Sequence, residues 1–554
     1  MSGLMPRRMK FWGWGFEGEG ATPEERTAVH KMAATRFGAT TFDDTPPRVE
    51  DYALRAPRVS VPQALAGFCS SERLDRLVHA YGKSFIDSVR IFERRVPNPP
   101  DVVAYPGSEQ DVIDLLDWAA SNDVAVIPFG GGSSVVGGVE PVVGDAFQGV
   151  VSVNLQRLDK VLEVDKASRA ARIQAGVLGP QLEAQLRPHG VTLRHFPQSF
   201  EYSTLGGWIA TRSGGHFATL YTHIDDFVEQ VRMVTPRGVW ESFRLPGSGA
   251  GPSPDRLAIG SEGALGVITE AWMRLQDRPR FRAGTSVGFR TFEDAWGAVR
   301  AISQAGLYPA NVRLLDRVEA HTTGAGDGTA DVMVLAFESA DHDVGPWMAR
   351  ALECVRDHGG TPDMDQLEAT GGHREGASGA WRNAFIRMPF FREILTPLGV
   401  LFDTFETAIT WDRFGDFHAN VMAALHDVMR RECGPGAIAS CRFTHVYPDG
   451  PAPYFSFYGK GRPGGMVDQW QAIKHACSDV LNRLGGTITH HHAVGRDHMP
   501  WYEKQRPDLF AAALQGAKDA IDPSGVMNPG VLLPPGARRR QVPLPPAGSV
   551  GSRP

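Results

Sequence analysis

Pro128-Phe-Gly-Gly-Gly-Ser-Ser134 closes the apolar run Val124-Ala125-Val126-Ile127, so a buried strand empties into a turn of three glycines and two hydroxyls. Residues without Cβ adopt backbone angles closed to others and let main-chain N–H groups face an anion at close range, while Ser133 and Ser134 add hydroxyl donors. The stretch reads as a seat for a pyrophosphate. No Gly-Lys-Ser/Thr follows it and its spacing is not Gly-x-Gly-x-x-Gly, which separates it from a Walker loop and from the dinucleotide fold. Glycine turns after strands are mostly plain turns, so the loop alone does not establish a ligand.

Two more loops of the same chemistry follow. Gln198-Ser-Phe-Glu-Tyr-Ser-Thr-Leu-Gly-Gly-Trp208 offers Gln198, Ser199, Ser203, Thr204, Gly206 and Gly207, and continues into Thr211, Arg212, Ser213 and Gly214. Ile259-Gly-Ser-Glu-Gly-Ala-Leu-Gly-Val-Ile-Thr-Glu270 offers Ser261, Glu262, Gly263, Leu265, Gly266, Val267 and Ile268. In this order, about 70 residues apart, the three loops resemble the PCMH-type FAD domain of the vanillyl-alcohol-oxidase superfamily, and Pro100–Val112 resembles the entry into that domain. The resemblance implies bound FAD. Its pyrophosphate would lie on Pro128, Phe129, Gly130, Gly131, Gly132, Ser133 and Ser134, with the two later loops lining the adenine side and the isoalloxazine. Arg212-Ser-Gly-Gly-His216 is similar to the stretch that carries a covalent flavin in the berberine-bridge branch, but there the histidine belongs to the first loop, which has none here. Non-covalent FAD is expected.

Composition agrees with an enzyme. The chain has 554 residues, 42% hydrophobic and 22% charged, enough for two or three domains with substantial cores. No run approaches the roughly 18 apolar residues of a membrane span, and the charged N-terminus lacks the apolar core of a secretory signal. A net charge of −6 offers no general basic surface for nucleic acid. Cys69, Cys354, Cys433, Cys441 and Cys477 have no Cys-x-x-Cys spacing and read as reduced, buried filler. The expected setting is a bacterial cytoplasm, with a homodimer and peripheral contact with the inner membrane face.

The punctuation divides the chain into an N-terminal helical region (1–97), the α+β flavin domain (98–278), an α+β cap or substrate domain (279–508), a segment returning to the flavin (509–534) and a disordered tail (535–554). In the cap, strands are expected at Gly284–Phe289, Val332–Phe337 and Ala452–Tyr458, separated by long helical segments.

His490-His491-His492 follows the β-prone Gly485-Gly-Thr-Ile-Thr489. On an extended chain His490 and His492 would share one side and His491 the other. That alternation opposes tridentate metal binding, and catalytic zinc draws its ligands from separated positions. No metal is expected, and proton transfer or substrate anchoring is.

Here the resemblance narrows. His490-His-His-Ala-Val-Gly-Arg496 is similar to the Ser-His-His-His-Gly-Val-Gly-Lys stretch of the alkyldihydroxyacetonephosphate synthase family. So are Lys10-Phe-Trp-Gly-Trp-Gly15, Met233-Val-Thr-Pro-Arg-Gly238, Val312-Arg-Leu-Leu-Asp316, Phe391-Arg392, Asp403–Arg413 and Cys441–Tyr447 with Tyr454-Phe455. These matches run from residue 10 to about 533. The resemblance implies a flavoenzyme that exchanges the acyl chain of an acyl-dihydroxyacetone phosphate for a fatty alcohol, with the flavin as electron sink. It makes Tyr454 the acid/base, aligns Arg313 and Arg392 with family arginines implicated in activity, and gives His490, His491 and His492 catalytic roles. A phenol with the usual pKa of ~10 is a poor base at neutral pH, so Arg313, Arg392 or the histidines are expected to lower it. Thr489, Ala493 and Arg496 depart from the family pattern, and Gly324–Arg387, which should shape the chain tunnel, has little that aligns. The alternative reading is an FAD-linked oxidase or dehydrogenase of a 2-hydroxy acid.

Overall fold

The strand that carries the first glycine loop, Val124–Phe129, is almost wholly buried, and a strand without polar alternation needs cover on both faces. A computed structural model, describing residues 7–38, 45–217, 219–368 and 376–534, shows how that cover is built. Val124–Phe129 pairs in parallel with Gly149–Asn154, which pairs in parallel with Val102–Ala104; the short Cys69–Ser70 closes the far edge antiparallel. Parallel neighbours need a crossover, and the helix Glu109–Ser121 supplies one. Ser108 and Asp111 form a capping box at its start, and Val112, Leu115, Leu116 and Ala119 face the core.

A second sheet is antiparallel, in the order Val161–Asp165, Ala170–Gln174, Val267–Arg274, Val228–Thr235, Gly238–Glu241. One apolar core joins the two sheets. The free edge of the first sheet is extended from the far end of the chain: the Val126 N–H donates to the Val526 carbonyl at 2.8 Å, and the Asn528 N–H donates to the Val126 carbonyl at 2.9 Å. The helix Asp508–Ile521 brings that segment back, and its buried Lys518 donates to Asp522 at 2.6 Å and to the carbonyl of Ala264 at 2.5 Å.

The cap is a seven-stranded antiparallel sheet, ordered Thr361–Pro362, Phe281–Phe289, Asp331–Ser339, Asn311–Leu315, Ile438–Val446, Pro451–Lys460, Val400–Glu406. It shares a second core with the helices Phe292–Gln304, Gly345–Asp357, Trp411–Cys433 and Met466–Arg483. Two of its strands, Val400–Glu406 and Ile438–Val446, lie where the sequence reads as helical. Both are buried nearly throughout, so they lack the alternation by which a half-exposed strand is recognised, and their polar residues interrupt the apolar run. Gly485–Thr489, expected to be β-like, is not a strand.

The aromatic opening folds back through a Met9–Phe16 bridge, and Lys10 pairs with buried Glu393 at 2.7 Å. The helix Pro23–Phe37 packs Val29, Ala33 and Phe37 against Ile394, Leu395 and Phe402. The region expected to be helical thus brings an aromatic loop and a helix onto the cap. The expected disordered tail, 535–554, lies outside the described residues.

Candidate active site

A cavity of about 250 Å³ runs between the flavin-type loops and the cap sheet. Its first wall is the glycine loop, with Pro128, Phe129, Gly130, Gly131, Gly132, Ser133 and Ser134 all lining it. Of the three glycines only Gly132 has a positive φ, +68°. The other two are needed for close approach: a Cβ on Gly130 would meet Thr204 Oγ1 at 2.2 Å, and one on Gly131 would meet the Tyr202 carbonyl oxygen at 1.6 Å. Among the described residues, no protein acceptor takes the N–H groups of Gly131, Gly132, Ser133 or Ser134. Those donors form an anion receptor. Ser134 Oγ accepts from the N–H of Gly138 at 3.0 Å and so steadies the loop.

The second wall is Gln198, Ser199, Ser203, Thr204, Gly206, Gly207, Thr211, Ser213 and Gly214; the third is Glu262, Gly263, Gly266 and Ile268. Thr204 caps the helix Leu205–Thr211, which starts at the cavity. Four residues expected at the cofactor face elsewhere. Arg212 stands at the left-handed end of that helix (φ +53°) and its guanidinium turns to Asp225 at 2.9 Å. Leu265 and Val267 are buried in the apolar core and do not line the cavity. Ser261 is buried away from the cavity wall. His216 is also off the cavity, its ring 3.2 Å from Asn311 Nδ2. An extended apolar-and-glycine cleft ending in free N–H donors fits a flavin dinucleotide, and the loops named here would hold it.

Tyr454 lies on the buried strand Pro451–Lys460 and faces the cavity. Its oxygen is 2.8 Å from Thr404 Oγ1 and 3.4 Å from His492 Nε2. Burial pushes the phenol up to about 12, against the Arg442 guanidinium, whose carbon lies 4.0 Å from the ring centroid. The expected lowering is therefore absent, and the cation beside the ring is Arg442 rather than Arg313 or Arg392. Arg442 occupies the position paired with Tyr454 across the sheet and is itself held by Glu319. Arg313 does not line the cavity; it is fully buried beside His216, donating to that residue's carbonyl at 2.8 Å. Arg392 does line it, paired with Asp403 at 2.8 Å.

The histidine triplet departs from alternation. His491 and His492 line the cavity, and His490 turns away to Tyr447 Oη at 2.7 Å and His223 Nε2 at 3.2 Å. The cause is Glu406. One of its carboxylate oxygens accepts the consecutive N–H groups of His490, His491 and His492 at 3.1, 2.7 and 2.6 Å, together with the Thr489 hydroxyl at 2.9 Å. Three successive N–H groups cannot converge on one atom in an extended chain, where they point to opposite sides. Its other oxygen is 2.5 Å from His491 Nδ1. Burial acts to push the Glu406 carboxyl up, but the His491 imidazole against it holds it well below the usual carboxylate range. Burial pushes His492 down to about 3, so this imidazole is neutral.

The following loop is held from the flavin side. The N–H groups of Val494 and Gly495 each donate to Glu262 at 2.8 Å, and burial raises that carboxyl to about 7. Two carboxylates, one from each domain, thus grip the histidine loop. His445, His490 and His491 bring ring nitrogens within 4.8 Å of one another, as do Glu406, His491 and His492 their ligand atoms. His445 Nε2 already meets the Gly215 carbonyl at 2.8 Å.

Sequence reasoning passed over Trp14, Phe402, Thr404, Glu406, Arg442 and Lys474. Thr404 and Glu406 stood in the quoted stretch Asp403–Arg413, and Arg442 in Cys441–Tyr447; read as buried strands, those stretches put Thr404 on the cavity wall and Glu406 and Arg442 against the residues that line it.

Comparison with known proteins agrees with this geometry. Residues 100–244 match the family model described as FAD binding domain, and 278–532 that described as FAD linked oxidases, C-terminal domain. The alkyldihydroxyacetonephosphate synthase of Dictyostelium discoideum is 31% identical over 513 residues, covering 89% of this chain and 82% of that protein. Its counterpart from Trypanosoma brucei brucei is 30% identical over 492 residues, covering 85% and 80%. A solved alkyldihydroxyacetonephosphate synthase structure superposes with a TM-score of 0.76 at 25% identity, covering 94% of this chain and 98% of its own.

Proposed function

The chain belongs to the alkyldihydroxyacetonephosphate synthase family of FAD-dependent enzymes, and from that premise we propose that it replaces the acyl chain of an acyl-dihydroxyacetone phosphate with a fatty alcohol. The observation that carries the reading is the meeting of Tyr454, His491 and His492 with the flavin loops in one cavity. FAD, held by the glycine loop and the two later loops, would supply an electron sink for the three-carbon unit, from which the carboxylate leaves as the alcohol oxygen takes its place. The protein handles the proton at the reacting carbon. A phenol that stays protonated cannot take that proton unless it passes its own on, and His492 Nε2 at 3.4 Å is the acceptor in line. The Glu406 carboxylate stabilises the positive charge that then appears on the imidazoles. As the ether forms the alcohol gives up its proton, one proton returns to the carbon along the same route, and the other leaves with the released carboxylate. Thr404 fixes the phenol's direction.

Trp14, Met388, Pro389 and Phe402 give the cap side an apolar lining suited to an alkyl chain. Such chains reside in bilayers, so the proposal includes peripheral contact with a membrane. The exposed Leu509 and Phe510, at the start of the helix Asp508–Ile521, are apolar side chains available for it.

Incubating the yellow protein with palmitoyl-dihydroxyacetone phosphate and hexadecanol should yield the alkyl product with one palmitate released per turnover. Flavin reduction by a 2-hydroxy acid without any exchange would overturn the reading.

A further inference from the structure

Lys474 is a buried ammonium at the reacting end of the cavity. It stands on the helix Met466–Arg483, is 8% exposed and lines the cavity wall. Its Nζ donates one hydrogen bond, to the Thr404 carbonyl at 2.7 Å, and among the described residues no carboxylate forms an ion pair with it. An ammonium carries three donors, so two remain for something in the cavity. Besides the Thr404 carbonyl it has the Trp470 ring, whose centroid is 5.7 Å from Nζ; burying a cation without a carboxylate in contact is costly, and a ligand anion would complete it.

The charges nearby indicate what that ligand is. Arg392 and Asp403 cancel in their own pair, and Asp403 also accepts from Trp470 Nε1 at 2.6 Å. Glu262 is committed to the loop N–H groups of Val494 and Gly495. Asp497, the other carboxyl whose charge acts on Lys474, forms no ion pair with it among the described residues, so Lys474 is left as a cation without a carboxylate in contact. Its location is equally specific: the residue whose carbonyl it holds, Thr404, contacts Tyr454 through its hydroxyl. The anion receptor of the glycine loop belongs to the flavin domain, whereas Lys474 and Thr404 belong to the cap.

We infer that Lys474, beside Arg392, seats the phosphate monoester of the substrate and thereby sets the reacting carbon against Tyr454. This rests on the proposed exchange reaction for the identity of the substrate. The free N–H groups, the lack of a carboxylate in contact and the link through Thr404 stand independently of it. No step of bond making is assigned to Lys474, which is a positioning residue selecting phosphorylated over unphosphorylated substrates.

The test compares wild type with Lys474→Gln and Lys474→Arg, each loaded with FAD. Glycerol 3-phosphate is titrated against the flavin absorbance, with glycerol as the phosphate-free control. Loss of a charged hydrogen-bonding partner should weaken glycerol 3-phosphate binding on the order of 10- to 100-fold in Lys474→Gln. Lys474→Arg should restore most of it. In turnover, Lys474→Gln should raise KM for palmitoyl-dihydroxyacetone phosphate by a similar factor and leave KM for palmitoyl-dihydroxyacetone unchanged. Glycerol 3-phosphate binding equal to wild type in Lys474→Gln would overturn the inference. So would an equal loss with both acyl substrates, or a Lys474→Arg enzyme as impaired as Lys474→Gln, because either pattern describes a strut for Thr404. Binding is read without turnover. A protein that makes no ether yet holds glycerol 3-phosphate through Lys474 refutes the exchange reaction and supports the anion seat.

Discussion

The phenol of Tyr454 meets a hydroxyl and a neutral imidazole through one oxygen, which makes it a conduit for a proton rather than a store. Tyr454→Phe removes that oxygen from a buried aromatic position and should keep the fold and the FAD while cutting turnover by roughly 10²–10⁴-fold; stopped assays on flavin-loaded protein measure it. Because burial pushes this phenol to about 12, its ionisation should leave no alkaline limb in a turnover profile between pH 7 and pH 10. A limb centred near the ordinary ~10 would mean that the ionised phenol is the base. Glu406 gives a second prediction. Glu406→Gln keeps an acceptor for the loop N–H groups but removes the charge beside His491, and should cost about 1–3 kcal/mol of stability at pH 7. The wild-type carboxyl has a folded pKa below its unfolded value of ~4.3, so its contribution is full above that value and fades as pH falls through the folded one. Urea unfolding at pH 7 and pH 3.5 should therefore find the gap between wild type and variant narrower in acid.

The glycine loop and the strand before it were legible from sequence because a short apolar run marks a buried strand and two later loops of the same chemistry, in order, set this glycine turn apart from a plain one. What was not legible was why each glycine is there. Only Gly132 needs its backbone angle; Gly131 needs emptiness, since the carbonyl of Tyr202, in another loop, occupies the place of a Cβ. Gly131→Ala should therefore already separate the two loops and lower FAD content, read as the ratio of flavin to protein absorbance. Gly67→Ala, where nothing lies within 4 Å, should not. The histidine triplet was visible, but its geometry was not: strand alternation assigns His490 and His492 to one face, and a carboxylate far back in the chain curls the backbone and presents His491 with His492 instead. Glu406 escaped notice because it sits on a strand buried on both faces, where the periodic signal vanishes. Tyr454 was found through family likeness, and its partner Arg442 only through cross-strand register.

At the scale of the molecule, the reactive loop belongs wholly to neither domain: Glu406 holds it from the cap and Glu262 from the flavin side. A ligand that binds only the assembled state stabilises it by mass action, by about 4 kcal/mol at a thousandfold excess over its Kd. Stripping FAD should lower the melting temperature in proportion, and adding it back should raise the temperature with the logarithm of its concentration; a melt indifferent to FAD would place the cofactor outside the fold's cooperative unit. The flavin domain has a further dependence, on Val526–Asn528, which extends the edge of its first sheet. Asn528 also donates from its side chain to the carbonyl of Gly138, 390 positions earlier. During synthesis the glycine loop emerges early and waits for that edge while the entire cap is translated. The nascent enzyme must therefore pass through a long interval with an unfinished cofactor site and a strand edge open to any extended peptide, and flavin loading becomes an event that follows the ribosome rather than accompanies it.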